Sequence, residues 1–381
     1  ALRNPADASP LRELARGKRR AAVVIDDSTR AVPSALLIDA VMEELLAGGM
    51  GPEQVTVVAA TGLHRPMTDA EFQAALGSWY GRVRHENHDA RNPGGLTFLG
   101  QTSLGTPLSV NRTFVAADLK ILTGDVEHHQ FCGYGGGAKS VYPGLADAEA
   151  IRLNHSRMDL AGTGPGRLDG NPVREEIEEA GVMAGVHFLL TVVLNAEHQI
   201  ASVHAGGVRA TLREACPVVD RIYKTGVPAR ADLVVASAGG HPKDGTLYQA
   251  QKALRAAGRI VAPGGTVLLA AACPEGSGSE LFERWMEEAC TPGEVIGRIR
   301  QSFVMGGHKA YQVARELTYA RVCLHSMIPP GKVRAWFMQP LRDWAEAAAL
   351  VAEAESVAVL PRAALTLAEV RETAGAGGLV A

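Results

Sequence analysis

Short apolar runs, each emptying into a polar or glycine-bearing loop, alternate along the chain with stretches whose apolar residues recur every three or four positions. Residues 21–25 (AAVVI), 55–60 (VTVVAA), 118–123 (DLKILT), 187–194, 232–236 (DLVVA), 266–272 and 356–360 read as strands. Runs of apolar and β-branched residues this short suit a pleat covered on both faces. Helical spacing covers 34–48, 147–158, 173–183, 208–225, 246–257 and 279–289, and residues 306–309 open another helix. Gly48-Gly49 is a stop, Pro172 sits near a first turn, and Thr68 with Glu71 makes a capping box. Residues 96–99 and 107–110 suggest a strand pair within a turn-rich stretch, 77–105, whose His85 and His88 read as surface. Strand and helix in alternation predict an α/β protein with mainly parallel sheets flanked by helices.

A chain of 381 residues exceeds the size at which one core usually stops growing, so two domains are expected. The linker candidate is 226–230 (GVPAR), giving an N-terminal domain over 1–226, rejoined by 356–381, and a C-terminal α/β domain over 230–355. A net charge of -3, without a Lys/Arg stripe, leaves no footprint for nucleic acid. No apolar run reaches the roughly 18 residues of a membrane span, and the first residues lack the apolar core of a signal peptide. Five scattered cysteines without a C-x-x-C pair suit a reducing compartment, so the protein is expected in the cytoplasm.

Chemistry concentrates in 124–144, GDVEHHQFCGYGGGAKSVYPG, directly after an apolar strand. Ligands of open α/β sheets gather at such strand ends. Gly135, Gly136 and Gly137 let the backbone approach a bound group, and Ala138-Lys139 begins a short helix. GYGGGAKS is one residue from a P-loop, and Gly133, Gly135 and Ala138 fit G-x-G-x-x-A. Both motifs want the first glycine directly after a strand, and here residues 124–132 intervene. A flexible loop with a solvated lysine is the third reading, and the three stay open on these residues alone.

Other loops carry lone candidates. Arg30, at the first strand's end, could grip a carboxylate with two parallel hydrogen bonds, unless it merely pairs with Asp27. His64 lies in ATGLHRP, where Pro66 stiffens the loop and an imidazole could act as a base. His155 follows Asn154 on a helix, and Gln249 and Lys252 share one helix face.

Taken together and in order, these blocks resemble the nickel-pincer lactate racemase family. The matching stretches are DDSTR (26–30), ATGLHRP (60–66), the lysine loop, Asn154-His155, GNPVRE (170–175), GGHPKD (239–244) and LYQAQKAL (247–254). The resemblance implies an isomerase that inverts C2 of a 2-hydroxy acid, with the active site in a cleft between two domains. It implies a nickel-pincer nucleotide joined to Lys139, with His155 as nickel ligand and Asp27, Gly135, Gly136 and Gly137 around the cofactor. His64 and His129 become the acid/base pair, and Arg30, Tyr248, Gln249 and Lys252 the substrate contacts. Cofactor-biosynthesis proteins are implied as partners for loading. The family's serine is Gly135 here, its common alanine Cys132 and a usual proline His128.

The chemistry implied is proton-coupled hydride transfer. A base takes the hydroxyl proton while the C2 hydrogen leaves with its electron pair, and a planar 2-keto acid can receive it back on either face. Two alternatives remain beside it: a P-loop-like nucleotide-binding protein or non-catalytic relative, and a zinc site from His128, His129, Cys132 and His155. The side group of the hydroxy acid stays open.

Overall fold

The computed structural model describes residues 1–371, which fall into two compact units divided after Ile222. In the first unit the strands are β1 (Ala21–Asp26), β2 (Val55–Ala60), β3 (Arg84–Asn87), β4 (Leu96–Gln101), β5 (Pro107–Asn111), β6 (Leu119–Asp125), β7 (His128–His129), β8 (Gly133–Tyr134), β9 (Phe188–Leu194) and β10 (Ile200–Gly206). Six form one sheet in the order β10-β9-β6-β1-β2-β3. It is parallel except for β10, which runs antiparallel to β9.

The interior strands read as unbroken apolar runs because both their faces are covered. Val23, Ile25, Val57, Ile121 and Leu190 join Leu37, Ile38, Val41, Met42 and Leu45 of helix Ser34–Ala47 in one core. The parallel register sends the ends of β1, β2 and β6 out of the same sheet edge, so the loops after them start as neighbours.

The second unit holds β11 (Lys224–Val227), β12 (Ala231–Ser237), β13 (Val261–Ala270), β14 (Arg321–His325), β15 (Gln339–Pro340), β16 (Val357–Leu360) and β17 (Leu367–Val370). Its parallel sheet runs β15-β14-β13-β12-β16, over a core that includes Leu233, Leu268 and Cys323. Both units thus have the α/β architecture that the alternating pattern predicts.

The strands also show where that pattern is insufficient. Residues 356–360, expected back in the first domain, lie in the second unit's sheet: β16 pairs with β12 from Leu233↔Val357 to Ala236↔Leu360. The expected linker begins inside β11, which pairs with β17. β3 gives no sequence signal because Arg84–Asn87 is a polar edge strand, and the nearby His88 is 4% exposed rather than on the surface. No helix among the described residues is long and apolar enough to cross a membrane.

Candidate active site

Three loops from neighbouring strand ends build the site of the first unit. After β1, Asp27 turns the chain by accepting from Thr29 N at 2.9 Å and Thr29 Oγ1 at 2.5 Å with one carboxylate oxygen. Its other oxygen accepts from His64 Nδ1 at 2.6 Å. His64 is placed by the turn after β2, where His64 N bonds Thr61 O at 2.8 Å and Gly62 N bonds Gly144 O at 3.0 Å. Burial pushes the Asp27 carboxyl up, but the bonds from His64 and Thr29 outweigh it and hold it below its ordinary value. An ionised carboxylate cannot donate, so His64 donates Nδ1–H, which leaves Nε2 as the lone-pair nitrogen of the neutral ring.

Arg30 does not pair with Asp27. Its Nη1 meets Glu127 Oε1 at 2.7 Å, and the Glu127 charge raises the guanidinium's pKa against burial. Two half-buried acids act on it through their charge. Burial raises Asp26 to about 6, against Arg30 and Lys139. At Asp125 burial, followed by the charges of Glu127 and Asp26, raises the pKa to about 8.

The lysine loop is held by backbone contacts more than by the glycine count. β7 and β8 form a two-residue hairpin with His128↔Tyr134 and His129↔Gly133 opposed. Gly135 N then donates to Glu127 O at 2.7 Å. Gly136 has φ +73° and a Cβ there would stand 2.4 Å from Asp125 O, so no side chain fits. Gly137 has φ +65° and opens the 3-10 turn Gly137–Ser140 that carries Lys139. Gly135 has no positive φ; its Cβ would come within 3.3 Å of Glu127 Cγ. β6 ends at Asp125, so the hairpin separates strand from glycines, and the four-residue turn is not the helix a P-loop needs.

Lys139 is half-buried. Burial lowers its pKa first, followed by the Arg30 charge, with Cys132 and Asp26 acting in the opposite sense. His129 is lowered well below its ordinary value by burial and then by Lys139, Arg30, His155 and Arg174, so its ring is neutral at neutral pH. Its Nδ1 accepts from Cys132 N at 3.4 Å, which places the neutral ring's proton on Nε2. Phe131 packs edge-on against His129 at 4.6 Å and His155 at 5.5 Å between ring centroids. His155, on helix Ala148–Ser156, donates Nδ1–H to Ile151 O at 2.9 Å, so Nε2 is its lone-pair nitrogen when neutral.

The structure therefore gathers Asp27, Arg30, His64, His129, Lys139, His155 and the glycines in one unit. His128 is drawn elsewhere: its Nε2 meets Asp220 Oδ1 at 2.8 Å, beside the Tyr134 hydroxyl, which donates to the same oxygen at 2.7 Å. That removes His128 from the zinc set. Among the described residues no group of three or more His, Cys, Asp or Glu is placed to hold a metal ion.

Asp125 and Glu127 were not singled out in the sequence, although both stand in the polar stretch after β6. Arg174, in GNPVRE, is buried. It donates Nε–H to Cys132 O at 3.1 Å, Nη1–H to Gly136 O at 3.4 Å and Nη2–H to Tyr134 O, bracing the lysine loop from beneath.

In the second unit Tyr248, Gln249 and Lys252 stand in the first turns of helix Leu247–Gly258. Tyr248 N bonds Ser277 O at 2.9 Å, and burial raises the phenol's pKa.

The family model described as lactate racemase N-terminal domain matches residues 1–163, and that described as lactate racemase C-terminal domain matches 227–360. A lactate racemase of Thermoanaerobacterium thermosaccharolyticum is 32% identical over 362 residues, covering 91% of this chain and 83% of that protein. One from Lactiplantibacillus plantarum is 31% identical over 302 residues, covering 77% and 70%. The solved structure of the T. thermosaccharolyticum lactate racemase apoprotein superposes with a TM-score of 0.90 at 30% identity, over 98% of this chain and 91% of that one. A Thermotoga maritima crystal structure reaches 0.71 at 21% identity, over 95% and 98%, a likeness of fold alone.

Proposed function

The chain belongs to the lactate racemase family and is an isomerase of the racemase kind, and on that premise we propose that it inverts C2 of a 2-hydroxy acid, using a nickel-pincer nucleotide tethered to Lys139. The observation that carries this reading is the Lys139 amine: half-buried, with its charge disfavoured by burial, in the electrostatic neighbourhood of His129, Arg30 and Asp26. A lysine that loses its proton easily is a nucleophile able to take a covalent group.

The donor set fits such a group. A single imidazole, His155, offers a lone pair whose tautomer the Ile151 carbonyl fixes. With no protein cluster of three metal-ligating side chains among the described residues, a metal here would bring most of its ligands with it. Gly136 and Gly137 lack side chains where Asp125 O and Leu212 stand close by, so the loop that carries Lys139 is pressed tightly onto its own unit. Bound there, such a group would supply hydride-acceptor and hydride-donor chemistry at C2.

The rest falls to the protein's own side chains. His64 presents the Nε2 lone pair that can take a hydroxyl proton, held in that tautomer by Asp27. His129, with its proton on Nε2, would be the partner of His64 in acid/base duty, the two exchanging roles for the opposite enantiomer. The substrate contacts proposed are Arg30 in the first unit and Tyr248, Gln249 and Lys252 in the second. Asp27, also expected near the cofactor, spends both oxygens on Thr29 and His64, so its role here is to orient the base. Loading requires cofactor-biosynthesis proteins.

The test is co-expression with the cofactor-making enzymes, followed by mass spectrometry of the Lys139 peptide and chiral chromatography of a hydroxy-acid panel. A mass adduct on Lys139 in protein that inverts C2 supports the reading. An unmodified Lys139 in active protein overturns it.

A further inference from the structure

The Arg30 guanidinium has one hydrogen-bond partner among the described residues, Glu127, and the bond is one-sided: Nη1 donates to Oε1 at 2.7 Å. A planar guanidinium carries its other donors, Nε–H and Nη2, along one edge, and that edge is a fork a carboxylate can take with two parallel hydrogen bonds. Pinning Nη1 leaves the edge whole and fixes the direction in which it opens. The backbone end of the residue is fixed as well, since Arg30 N donates to Asp27 O at 3.1 Å.

Glu127 is itself set from two sides. The preceding residue, Val126, is buried and donates from N to Val192 O at 2.9 Å. Glu127 O accepts at 2.7 Å from the N–H of Gly135, four residues before Lys139. A Cβ at Gly135 would stand 3.3 Å from Glu127 Cγ, tighter than ordinary contact, so a bare residue there leaves the glutamate side chain its place. One residue thus ties the arginine after β1 to the loop that carries the lysine.

Stability gives little reason for the pair. The two side chains are 34% and 36% exposed, and ion pairs that open to water contribute little to folding. Nor does neutralising Arg30 require Glu127 alone, because Asp26, Asp125 and Asp27 also act on it through their charge. What Glu127 adds is a hydrogen bond, and a hydrogen bond gives direction.

We infer that Glu127 is a positioning residue: it holds Arg30 with the Nε–Nη2 edge open to the carboxylate of the 2-hydroxy acid. The inference deepens the racemase reading and rests on the substrate contact proposed there for Arg30. An anion beside the seat of another anion repels it by charge, so Glu127 helps only by aiming the arginine. The sign of its effect on KM therefore decides between aiming and competing.

The test is steady-state inversion of lactate, malate and mandelate by the loaded enzyme, in the parent, Glu127→Gln, Arg30→Met and the double variant. Rates are normalised to the fraction of Lys139 adduct found by mass spectrometry. For the acid inverted fastest, Glu127→Gln should raise KM about tenfold, the scale of one misdirected charge-assisted hydrogen bond, with kcat within threefold. In the Arg30→Met background the same substitution should move KM less than twofold, because nothing is left to aim. Glu127→Asp keeps the charge but withdraws it by one methylene, so KM should again rise at least threefold. That variant carries the test where Glu127→Gln does not fold or load.

An unchanged KM in Glu127→Gln overturns the inference, and a lowered one makes the glutamate a rival of the substrate instead. An equal rise with and without Arg30 also overturns it, since Glu127 would then act elsewhere. Full activity in Arg30→Met removes the arginine's role and the inference with it, and leaves the racemase reading intact. A loaded parent that inverts none of the acids removes both.

Discussion

His64 Nδ1 stands 2.6 Å from Asp27 Oδ2, a bond that ties the loop after β2 to the loop after β1 and leaves the other ring nitrogen as acceptor. Asp27→Asn keeps the shape but offers an amide that lets the imidazole settle in either tautomer. General acid–base help is worth about 10²–10⁴-fold, so kcat of the loaded enzyme should fall by roughly that factor while KM moves only a few-fold. Chiral chromatography at several substrate concentrations separates the two. A variant with unchanged kcat would show that Asp27 has no part in orienting the base.

Lys139 should reveal itself without the cofactor. Its folded pKa is depressed below the unfolded value of about 10.4, so the unfolded state holds the proton more tightly. Stability of the unloaded protein is therefore penalised below the folded pKa and recovers as pH rises toward the unfolded value. Lys139→Met removes the penalty, so its melting temperature should exceed that of the parent most at neutral pH and converge toward it by about pH 10. A constant offset across that range would place the amine in water instead.

The fold was largely legible because parallel strands covered on both faces announce themselves as apolar runs, as at residues 21–25 and 55–60. Arg84–Asn87 was not, since a polar edge strand shares its pattern with a loop. Nor could sequence say which sheet residues 357–360 would join, because any apolar run fits the edge of either. In the site, glycines and histidines were visible by type, whereas their bonds were not. The Asp27–His64 and Arg30–Glu127 pairs span 37 and 97 positions, and only the parallel register of β1, β2 and β6 brings them together. Arg174 lay in a matching motif, yet its contact with the lysine loop needs helix Pro172–Met183 to pass beneath that loop.

Asp125 and Asp26 should make the protein less stable as the solution becomes less acidic. Burial raises both above the unfolded value, so the folded state holds their protons more tightly. Stabilisation is full below pH ~4 and is lost as pH rises through about 6 and about 8. Asp125→Asn is nearly isosteric with the protonated acid and should be tolerated at pH 6, with a smaller loss of denaturation midpoint between pH 6 and 9. Urea unfolding at those two pH values reads the difference, and an unchanged slope would assign the effect to other groups.

Arg174 is the strut of the lysine loop, and its removal should be felt first as stability. Arg174→Met keeps apolar bulk but withdraws the donors to Cys132, Tyr134 and Gly136 carbonyls. Each buried acceptor stripped of its partner costs about 1–3 kcal/mol. Cys132 O retains the bond from Tyr134 N, Gly136 O that from Lys139 N and Tyr134 O a weak one from the Cys132 thiol, so the total should stay at the low end of that sum, near 3 kcal/mol, about 1 for each carbonyl. Arg174→Lys has one ammonium for three carbonyls on a planar fork's geometry and should recover less than half of the loss. Urea denaturation of the three proteins measures this, with an unchanged m-value confirming that the same surface is exposed. Because the strut sits under the tether, the methionine variant should also show a lower fraction of Lys139 adduct by mass spectrometry, even at temperatures where it remains folded. Full stability with full loading would mean that hairpin β7–β8 and the Gly135 N–Glu127 O bond hold the loop on their own.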